Sequence, residues 1–254
     1  MTTLLYDSTF EGLMTAVFEV FEYKYDVVEI VAQQNYSQEN FFAETHEVIT
    51  DFTKSDRVLK KLEENLGKQG ISQLMMVYFS ERKDLERLIL SAVWHSIKHP
   101  KKNILQDFGN DDILEISKIC RSVSRERHRM LAFVRFELLQ DEVYFAKIEP
   151  DFNVLPLIRK HFKERYADQK WMIFDLKRHY GIFYDLKEVH FFTPDSSQLQ
   201  NFRNSEQFHH EEEKKYQKLW QRYFVKTGIP ERKNMKLHIQ WVPKRYWKYL
   251  TEKY

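Results

Sequence analysis

Ser124-Arg-Glu-Arg-His-Arg-Met-Leu-Ala-Phe-Val-Arg-Phe136 opens the stretch of sequence that decides the fold, residues 124–184. The stretch closes with Trp171-Met-Ile-Phe-Asp-Leu-Lys-Arg-His-Tyr-Gly-Ile-Phe-Tyr184. It combines apolar and aromatic runs, which are typical of strands, with more charged residues than a protein core needs. It is therefore a candidate both for the central sheet and for a functional surface.

The middle of the chain predicts strand, strand, helix and three more strands. Apolar residues recur at helical spacing from Val154 to Phe162, and the runs on either side are rich in β-branched and aromatic residues. The turns between the paired runs are short enough for hairpins, so we expect an antiparallel sheet with a helix on one face. The predicted strands are Leu131–Leu139, Val143–Ile148, Trp171–Leu176, Ile182–Leu186 and Val189–Phe192.

The first half of the chain reads as mainly helical. Residues 4–6 predict a first strand and residues 47–50 a second. Ser8 and Glu11 match the capping box of a helix whose apolar stripe continues to Phe21. Three further helical patterns run from Ser55 to Gly67, from Ile71 to His99 with a candidate break at residues 80–83, and from Asp111 or Asp112 to Val123.

The C-terminal part predicts one long helix and a basic, aromatic tail. The helix covers about residues 205–226, with Pro243 starting a short terminal helix. Its predicted buried stripe is Tyr216, Leu219, Trp220, Tyr223 and Phe224. The fold class is therefore α+β, with a mainly helical region at 1–123 packed as one compact unit with a sheet, helices and tail at 124–254.

Composition excludes several classes of protein. Of the 254 residues, 43% are hydrophobic and only six are Gly and six Pro, which indicates a globular chain without long linkers. Cys120 is the single cysteine, so the chain alone builds no disulfide, cysteine zinc site or iron–sulfur cluster. No apolar run approaches the roughly 20 residues that cross a bilayer. We expect a cytoplasmic protein without a cofactor or a membrane contact.

The net charge of +2 conceals a strongly basic C-terminal end. Residues 214–254 hold twelve Lys or Arg against Glu231 and Glu252, a net of +10, which leaves −8 on residues 1–213. Such a segment is a candidate surface for a polyanion, or for the acidic body of the same chain.

Charged residues on the predicted sheet suggest a site. Alternation places Arg135 and Glu137 on one face, and if their strand neighbours that of Asp175, the three side chains could meet. His161 and Arg165 would then approach from the helix. The alternative is a cross-strand salt-bridge network on a half-solvated sheet.

The histidines and the absence of nucleophile motifs identify no definite catalytic or metal site. His161 lies on an apolar helical stripe, which allows two interpretations: a hydrogen-bonded core histidine or a general base. His95 and His99 share a helical face but lack a third ligand, so no metal is predicted. Neither a phosphate-binding glycine loop nor a recognisable nucleophile motif occurs in the sequence.

The tail interleaves bases with aromatic residues at 241–252, a pattern suited to phosphate contacts and base stacking. The alternative is that Trp241, Trp247 and Leu250 anchor the tail by packing and that the bases form a solvated face.

Six motifs in order resemble the bacterial DUF4130 family, a domain of unknown function connected with DNA metabolism or repair. They are Tyr6–Gly12, His128–Phe136, Pro150–Leu157, His161–Arg165, Trp171–Asp175 and Pro243–Glu252. Ser8 departs from the Gly expected in the family's Tyr-Asp-Gly-Thr-Phe-Glu-Gly signature. The resemblance implies a role on DNA and, from gene neighbourhood, a radical S-adenosylmethionine (SAM) DNA-repair protein as partner. In some bacteria the domain is fused to a uracil-DNA glycosylase.

Three hypotheses follow: a DNA-binding repair protein that works with the radical SAM partner, a DNA-lesion enzyme using acid–base residues, and a scaffold for protein contacts. The oligomeric state stays open. The candidate catalytic residues are Glu137, His161 and Asp175. The candidate nucleic-acid-binding residues are Arg129, Arg135, Arg165, Arg178, Arg232, Lys244, Arg245, Tyr246, Trp247 and Lys248.

Overall fold

The computed structural model describes residues 2–25, 28–36, 44–100, 102–229 and 234–253. The chain divides into two compact units, Met1–Ser124 and Arg125–Tyr254, here called the first and second units. Each unit combines helices with one sheet, which confirms the predicted α+β class. Across the described ranges, every helix is too short or too polar to cross a bilayer.

Within its described residues the first unit contains a small parallel sheet and four α-helices, the last of which runs on past residue 124. The strands take the order β2-β1-β3, with β1 paired in parallel to both neighbours. Parallel pairing requires a crossover, which α1 supplies between β1 and β2. The elements are β1 (Thr2–Tyr6), α1 (Phe10–Glu22), β2 (Val28–Ala32), β3 (Glu44–Glu47), α2 (Phe52–Tyr78), α3 (Leu85–Lys98) and α4 (Asp111–Phe133).

The first strand is predicted correctly, whereas the strand predicted at residues 47–50 is wrong. β3 ends at Glu47, and although Val48 still donates its N–H to the Leu5 carbonyl at 2.8 Å, Asp51 already caps α2. Residues 48–50 are therefore the connection between strand and helix. β2 was not predicted, although Val28-Glu-Ile-Val-Ala32 has strand composition.

Helix packing in the first unit follows the apolar spacing of the sequence. Leu13, Met14 and Val17 of α1 are fully buried, as are Leu74 of α2 and Leu88 of α3. The predicted break near residues 80–83 lies between α2 and α3. Gly67 does not end its helix but kinks it, since its φ of 69° lies in the left-handed region that glycine tolerates.

The predicted capping box at Ser8 is wrong, because Thr9 is the cap of α1. The Thr9 hydroxyl accepts the Gly12 N–H at 2.9 Å, and Asp7 in turn accepts from the Thr9 hydroxyl at 2.6 Å. Ser8 has a φ of 65°, so it cannot belong to the helix. Glycine, which the family resemblance leads us to expect at this position, adopts that backbone conformation without strain.

Replacing Ser8 with Gly is expected to raise the free energy of unfolding by about 0.5–1 kcal/mol. The left-handed conformation costs a non-glycine residue about 1–2 kcal/mol, and the added chain entropy of glycine offsets part of the gain. Urea denaturation measures the change. The matched control Ser122→Gly, within helix α4, is expected to destabilise by about 0.5 kcal/mol. Destabilisation by both substitutions would contradict the strain at Ser8.

The second unit is built on a five-stranded sheet of order β4-β5-β6-β7-β8. All neighbours are antiparallel except β5 and β6, which are parallel and joined through α5. The prediction of a wholly antiparallel sheet is therefore wrong at this pair, because the intervening helix carries the chain back to the same edge. The elements are β4 (Glu137–Leu138), β5 (Tyr144–Ile148), α5 (Leu155–Arg165), β6 (Trp171–Asp175), β7 (Tyr180–Tyr184), β8 (Val189–Phe192), α6 (Leu199–Arg203), α7 (Glu213–Thr227) and α8 (Met235–Trp241).

Two predicted boundaries in the second unit are wrong. The strand predicted at residues 131–139 shrinks to β4, because α4 continues to Phe133 and its buried residues Val123 and Met130 keep helical spacing. The helix predicted at 205–226 begins only at Glu213, after α6 and a 3₁₀ turn at Ser205–Phe208. A further 3₁₀ segment, Lys244–Tyr249, follows Pro243.

Both faces of the second sheet are covered by aromatic packing. On one face Phe174 stacks on Phe202 of α6, with ring centroids 4.6 Å apart. On the other face Trp171 packs against Phe162 of α5, with a centroid distance of 6.1 Å. The sheet therefore holds α5 and α6 on opposite sides.

Candidate functional site

Glu137 and Asp175 lie on opposite faces of the second sheet. Glu137 pairs with Phe145, and Phe145 pairs with Met172, which is three residues from Asp175. Paired residues share a face and successive residues alternate, so Asp175 points the other way. The expected meeting of Arg135, Glu137 and Asp175 does not occur, because β5 separates β4 from β6 and Arg135 precedes β4.

Asp175 is fully buried and holds the turn after β6. Its carboxylate accepts the backbone N–H of Lys177 at 2.9 Å and pairs with the Arg178 guanidinium at 2.9 Å. Arg178 also donates to the carbonyls of Pro150 and Asp151. Burial raises the pKa of Asp175, although Arg178 opposes that rise. This is the geometry of an internal salt bridge, and it occupies both of these candidate residues.

Glu137 belongs to a second network on the other face. Its carboxylate contacts His209 Nε2 at 3.1 Å and accepts the Ser205 hydroxyl at 3.3 Å. Leu139 of the same edge forms a β-bridge with His209. Glu137 therefore ties the edge strand to the segment before α7.

Arg135 pairs with Glu252 near the C-terminus. The guanidinium Nη2 lies 2.7 Å from the carboxylate, which also accepts the Trp220 indole N–H at 2.9 Å. The Arg135 guanidinium lies over the Trp220 ring, 5.5 Å from its centroid. Burial disfavours ionisation of Glu252, but the bonds from Arg135 and Trp220 outweigh it and hold the pKa below the ordinary value.

Tyr246 and Arg245 anchor the tail to α4. The Tyr246 hydroxyl donates to the carboxylate of Glu126, and Arg245 Nη2 lies 3.0 Å from the same carboxylate. Arg129 lies one helical turn further along α4, with its Nη1 3.6 Å from the Glu126 carboxylate. Tyr246 is 2% exposed, which excludes base stacking on its ring and makes it a packing anchor. Burial, followed by the bond to Glu126, raises the Tyr246 pKa.

Lys244, Arg245 and Lys248 line one surface cavity of about 460 Å³ together with Lys177. Glu149 and Asp151 line it too, and they form ion pairs with Lys248 and Arg245 respectively. The cavity therefore carries four cationic and two anionic side chains, so its positive charge is partly compensated.

Trp247 is half-buried beside this cluster, and its indole N–H donates to the Val242 carbonyl at 3.0 Å. Lys244 and Lys253 lie over its ring, 6.0 and 5.1 Å from the centroid. Its face is therefore already covered by cations. Arg232, the remaining candidate in the tail, lies outside the described residues.

His161 and Arg165 are exposed on α5, so the expected core position of His161 is wrong. Both line a cavity of about 900 Å³, called here the aromatic cavity, which Arg135 also reaches. Glu137 and Asp175 are not among its lining residues. The three candidate catalytic residues therefore share no site. Its walls include Phe136, Tyr144, Phe162, Tyr166, Trp171, Tyr216 and Trp220.

The predicted buried stripe of α7 is wrong, because these side chains are largely exposed. Tyr216, Leu219 and Tyr223 are 49%, 51% and 60% exposed. The face turned inward instead carries Glu213, which is buried and accepts the Leu138 backbone N–H at 2.8 Å, and Gln221. Polar residues therefore fasten α7 to its neighbours, and its aromatic residues remain available.

A row of cations runs beside these exposed side chains. Lys214, Lys218, Arg222 and Lys226 follow one another at four-residue intervals and are all exposed. Within the described ranges none of them has an ion-pair partner. This row was not predicted as a site, although its four-residue spacing is visible in the sequence.

His95 and His99 are neighbours on α3, with ring centroids 4.9 Å apart, and His95 Nε2 lies 3.2 Å from an Asp107 oxygen. In the part of the chain that the structure describes, no group of three metal-binding side chains comes together.

Replacing Glu252 with Gln is expected to lower the free energy of unfolding by about 1–3 kcal/mol, because the amide N–H₂ opposes two donors where the carboxylate accepted from both. The folded pKa lies below the unfolded value of about 4.3, so this stabilisation is complete above that value and is lost as pH falls through the folded pKa. Chemical denaturation at about pH 6 and pH 3 checks that the wild type loses more stability than the variant. The control Glu164→Gln removes only an exposed pair with Lys160 and should change stability by less than about 0.5 kcal/mol.

The sequence comparisons identify a family. A family model described as a domain of unknown function, DUF4130, matches residues 83–252, two thirds of the chain. The matched range contains all of the second unit's candidate residues, whereas the Tyr6–Gly12 motif lies outside it. No curated protein matches the chain. The chain therefore belongs to the DUF4130 family.

Proposed function

We propose that this protein binds DNA through the exposed side of α7 and the neighbouring basic tail. The observation that carries the proposal is the row of four exposed cations on α7, which have no ion-pair partner among the described residues and share the helix with the exposed Tyr216 and Tyr223. Twelve residues of helix span about 18 Å, so the row presents a line of positive charge rather than a point. Cations along a strand with aromatic faces between them suit the phosphates and bases of single-stranded DNA.

The ion pairs of the other candidate cations favour α7 as the main contact with DNA. Arg135, Arg178 and Arg245 each have a carboxylate partner. Binding a phosphate there would have to displace or share that partner. Lys218 and Arg222 would lose only bound water when they contact a phosphate. Each of them is therefore expected to contribute more to phosphate binding than a paired arginine does.

The double variant Lys218→Gln/Arg222→Gln tests this proposal by fluorescence anisotropy with single-stranded DNA across a salt series. Each phosphate contact contributes about −0.7 to the slope of log K against log salt, so the variant slope should be shallower by about 1.4. Affinity at low salt should fall by about tenfold or more.

The matched control is Lys60→Gln/Lys68→Gln, which removes two exposed charges from α2. Its slope should equal that of the wild type. Absence of binding at low salt, binding that ignores salt, or equal slopes for both double variants would refute the DNA-binding role of α7.

Exposed apolar side chains support a second function, the docking of a protein partner. Val225 is 75% exposed at the end of α7, and Leu237 and Trp241 of α8 are 49% and 66% exposed. Together with Phe224 and Met235 they line one groove. Large exposed apolar groups that line one groove are typical of protein interfaces. We propose that the radical SAM protein implied by the family resemblance docks here.

Val225→Asp/Leu237→Asp is expected to weaken capture of the purified radical SAM protein by at least about tenfold, since it places two charges in an apolar contact. Capture by immobilised wild-type and variant protein measures the effect. Lys218→Gln/Arg222→Gln serves as the control and should retain capture. Equal capture by all three proteins would rule out the groove as the docking surface.

A further inference from the structure

The aromatic cavity is large enough for a flat organic ligand. Its volume of about 900 Å³ lies within the usual range for small-molecule sites, about 300–1,000 Å³. The end of α4, helix α5, strands β5 and β6, and helix α7 all contribute lining residues. Every lining residue belongs to the second unit.

Its wall is a connected aromatic cluster. Phe136 contacts Tyr166 and Trp171, with ring centroids 5.4 and 6.3 Å away, and Phe162 lies 6.1 Å from Trp171. Tyr216 of α7, half-exposed, adds another ring to the lining. Phe162 and Trp171 are buried, whereas Phe136, Tyr166 and Tyr216 are partly exposed and present faces that stack on any nucleobase, because every base has a π-face.

Trp171 supports this wall from behind. Its side chain is 1% exposed, and its indole nitrogen is buried and, among the described residues, meets no acceptor. A ligand in the cavity would therefore meet the accessible rings in front of Trp171 and not its indole N–H.

The exposed part of the lining is positively charged. Arg165 stacks on Tyr166, 5.7 Å from the ring centroid, and His161 is exposed one helical turn earlier. In the described part of the chain, neither forms an ion pair. Arg135 is neutralised by Glu252. Arg165 is thus the lining cation best placed to attract a phosphate group next to a stacked ring.

We propose that the aromatic cavity holds one unstacked base of a DNA strand. The base stacks on the accessible rings of the wall and carries its flanking phosphate to Arg165. This inference deepens the DNA binding proposed above and rests on it. The exposed row on α7 would grip the strand, while Tyr216 and Trp220 of the same helix line the cavity.

Anisotropy with two oligonucleotides of equal length and charge tests the inference, one normal and one whose central nucleotides lack bases. The wild type should bind the normal strand at least about fivefold tighter, since stacking one base contributes about 1–3 kcal/mol. Tyr216→Ala removes an exposed ring of the lining, and it should reduce that preference about fivefold.

A variant that fills the cavity tests whether the base binds there. Ala132 is exposed and lines the cavity, so Ala132→Trp should abolish the preference for bases while leaving salt-dependent binding intact. Ala167→Trp, at an exposed position that is not among the lining residues, should behave as the wild type. Thermal unfolding confirms that each variant is folded.

The outcomes separate the two proposals. Equal, salt-dependent binding of both oligonucleotides overturns the base site and leaves DNA binding standing. If neither oligonucleotide binds, the proposed function fails, and saturation-transfer NMR with thymidine 5′-monophosphate against deoxyribose 5-phosphate decides the cavity. The site is supported if saturation is transferred to the base protons by the wild type and by Ala167→Trp but not by Ala132→Trp. Absence of transfer with the wild type refutes the site.

Discussion

The buried carboxylate of Glu126 is the constraint on which the arrangement of the second unit depends. It is 2% exposed, and it accepts hydrogen bonds from the Tyr246 hydroxyl, from Arg245 and from the Asp151 backbone N–H. A buried charge is tolerated only when it is paired and hydrogen-bonded, and removal of one partner is costly. The C-terminal tail must therefore lie against α4, and the loop after β5 is held at the same point.

This constraint changes the meaning of the basic tail. The net charge of residues 214–254 suggests a uniform surface for a polyanion, but part of it neutralises acidic side chains of the same unit. Arg245 pairs with Glu126 and Asp151, and Lys248 pairs with Glu149. Among the described residues of this segment, four of the exposed cations outside ion pairs lie on α7, namely Lys214, Lys218, Arg222 and Lys226. The net charge of a segment thus describes its overall attraction to anions. Cations that form ion pairs within the protein are less available to an external anion.

Helix α7 joins the two binding proposals because it is fastened by polar rather than apolar contacts. Glu213 accepts a backbone N–H of β4, and the Trp220 indole donates to Glu252. These bonds use one side of the helix. Tyr216 and Trp220 line the aromatic cavity, and the four cations are exposed on the same helix. The two proposals therefore place phosphate binding and base binding on one helix.

The sequence by itself determined the α+β class, helix α1, the basic C-terminal end and the family, because local spacing, composition and motif order are properties of the chain alone. The tertiary structure decided what depends on distant partners. Residues 131–133 fit either a strand or the end of α4, and only packing made them helical. The parallel pairing of β5 with β6 depends on how the chain returns through α5. Whether the α7 stripe is buried depends on which element covers it, and polar anchors elsewhere left it exposed. Asp175 and Glu137 were separated for the same reason, since strand order is set by contacts that no local pattern contains.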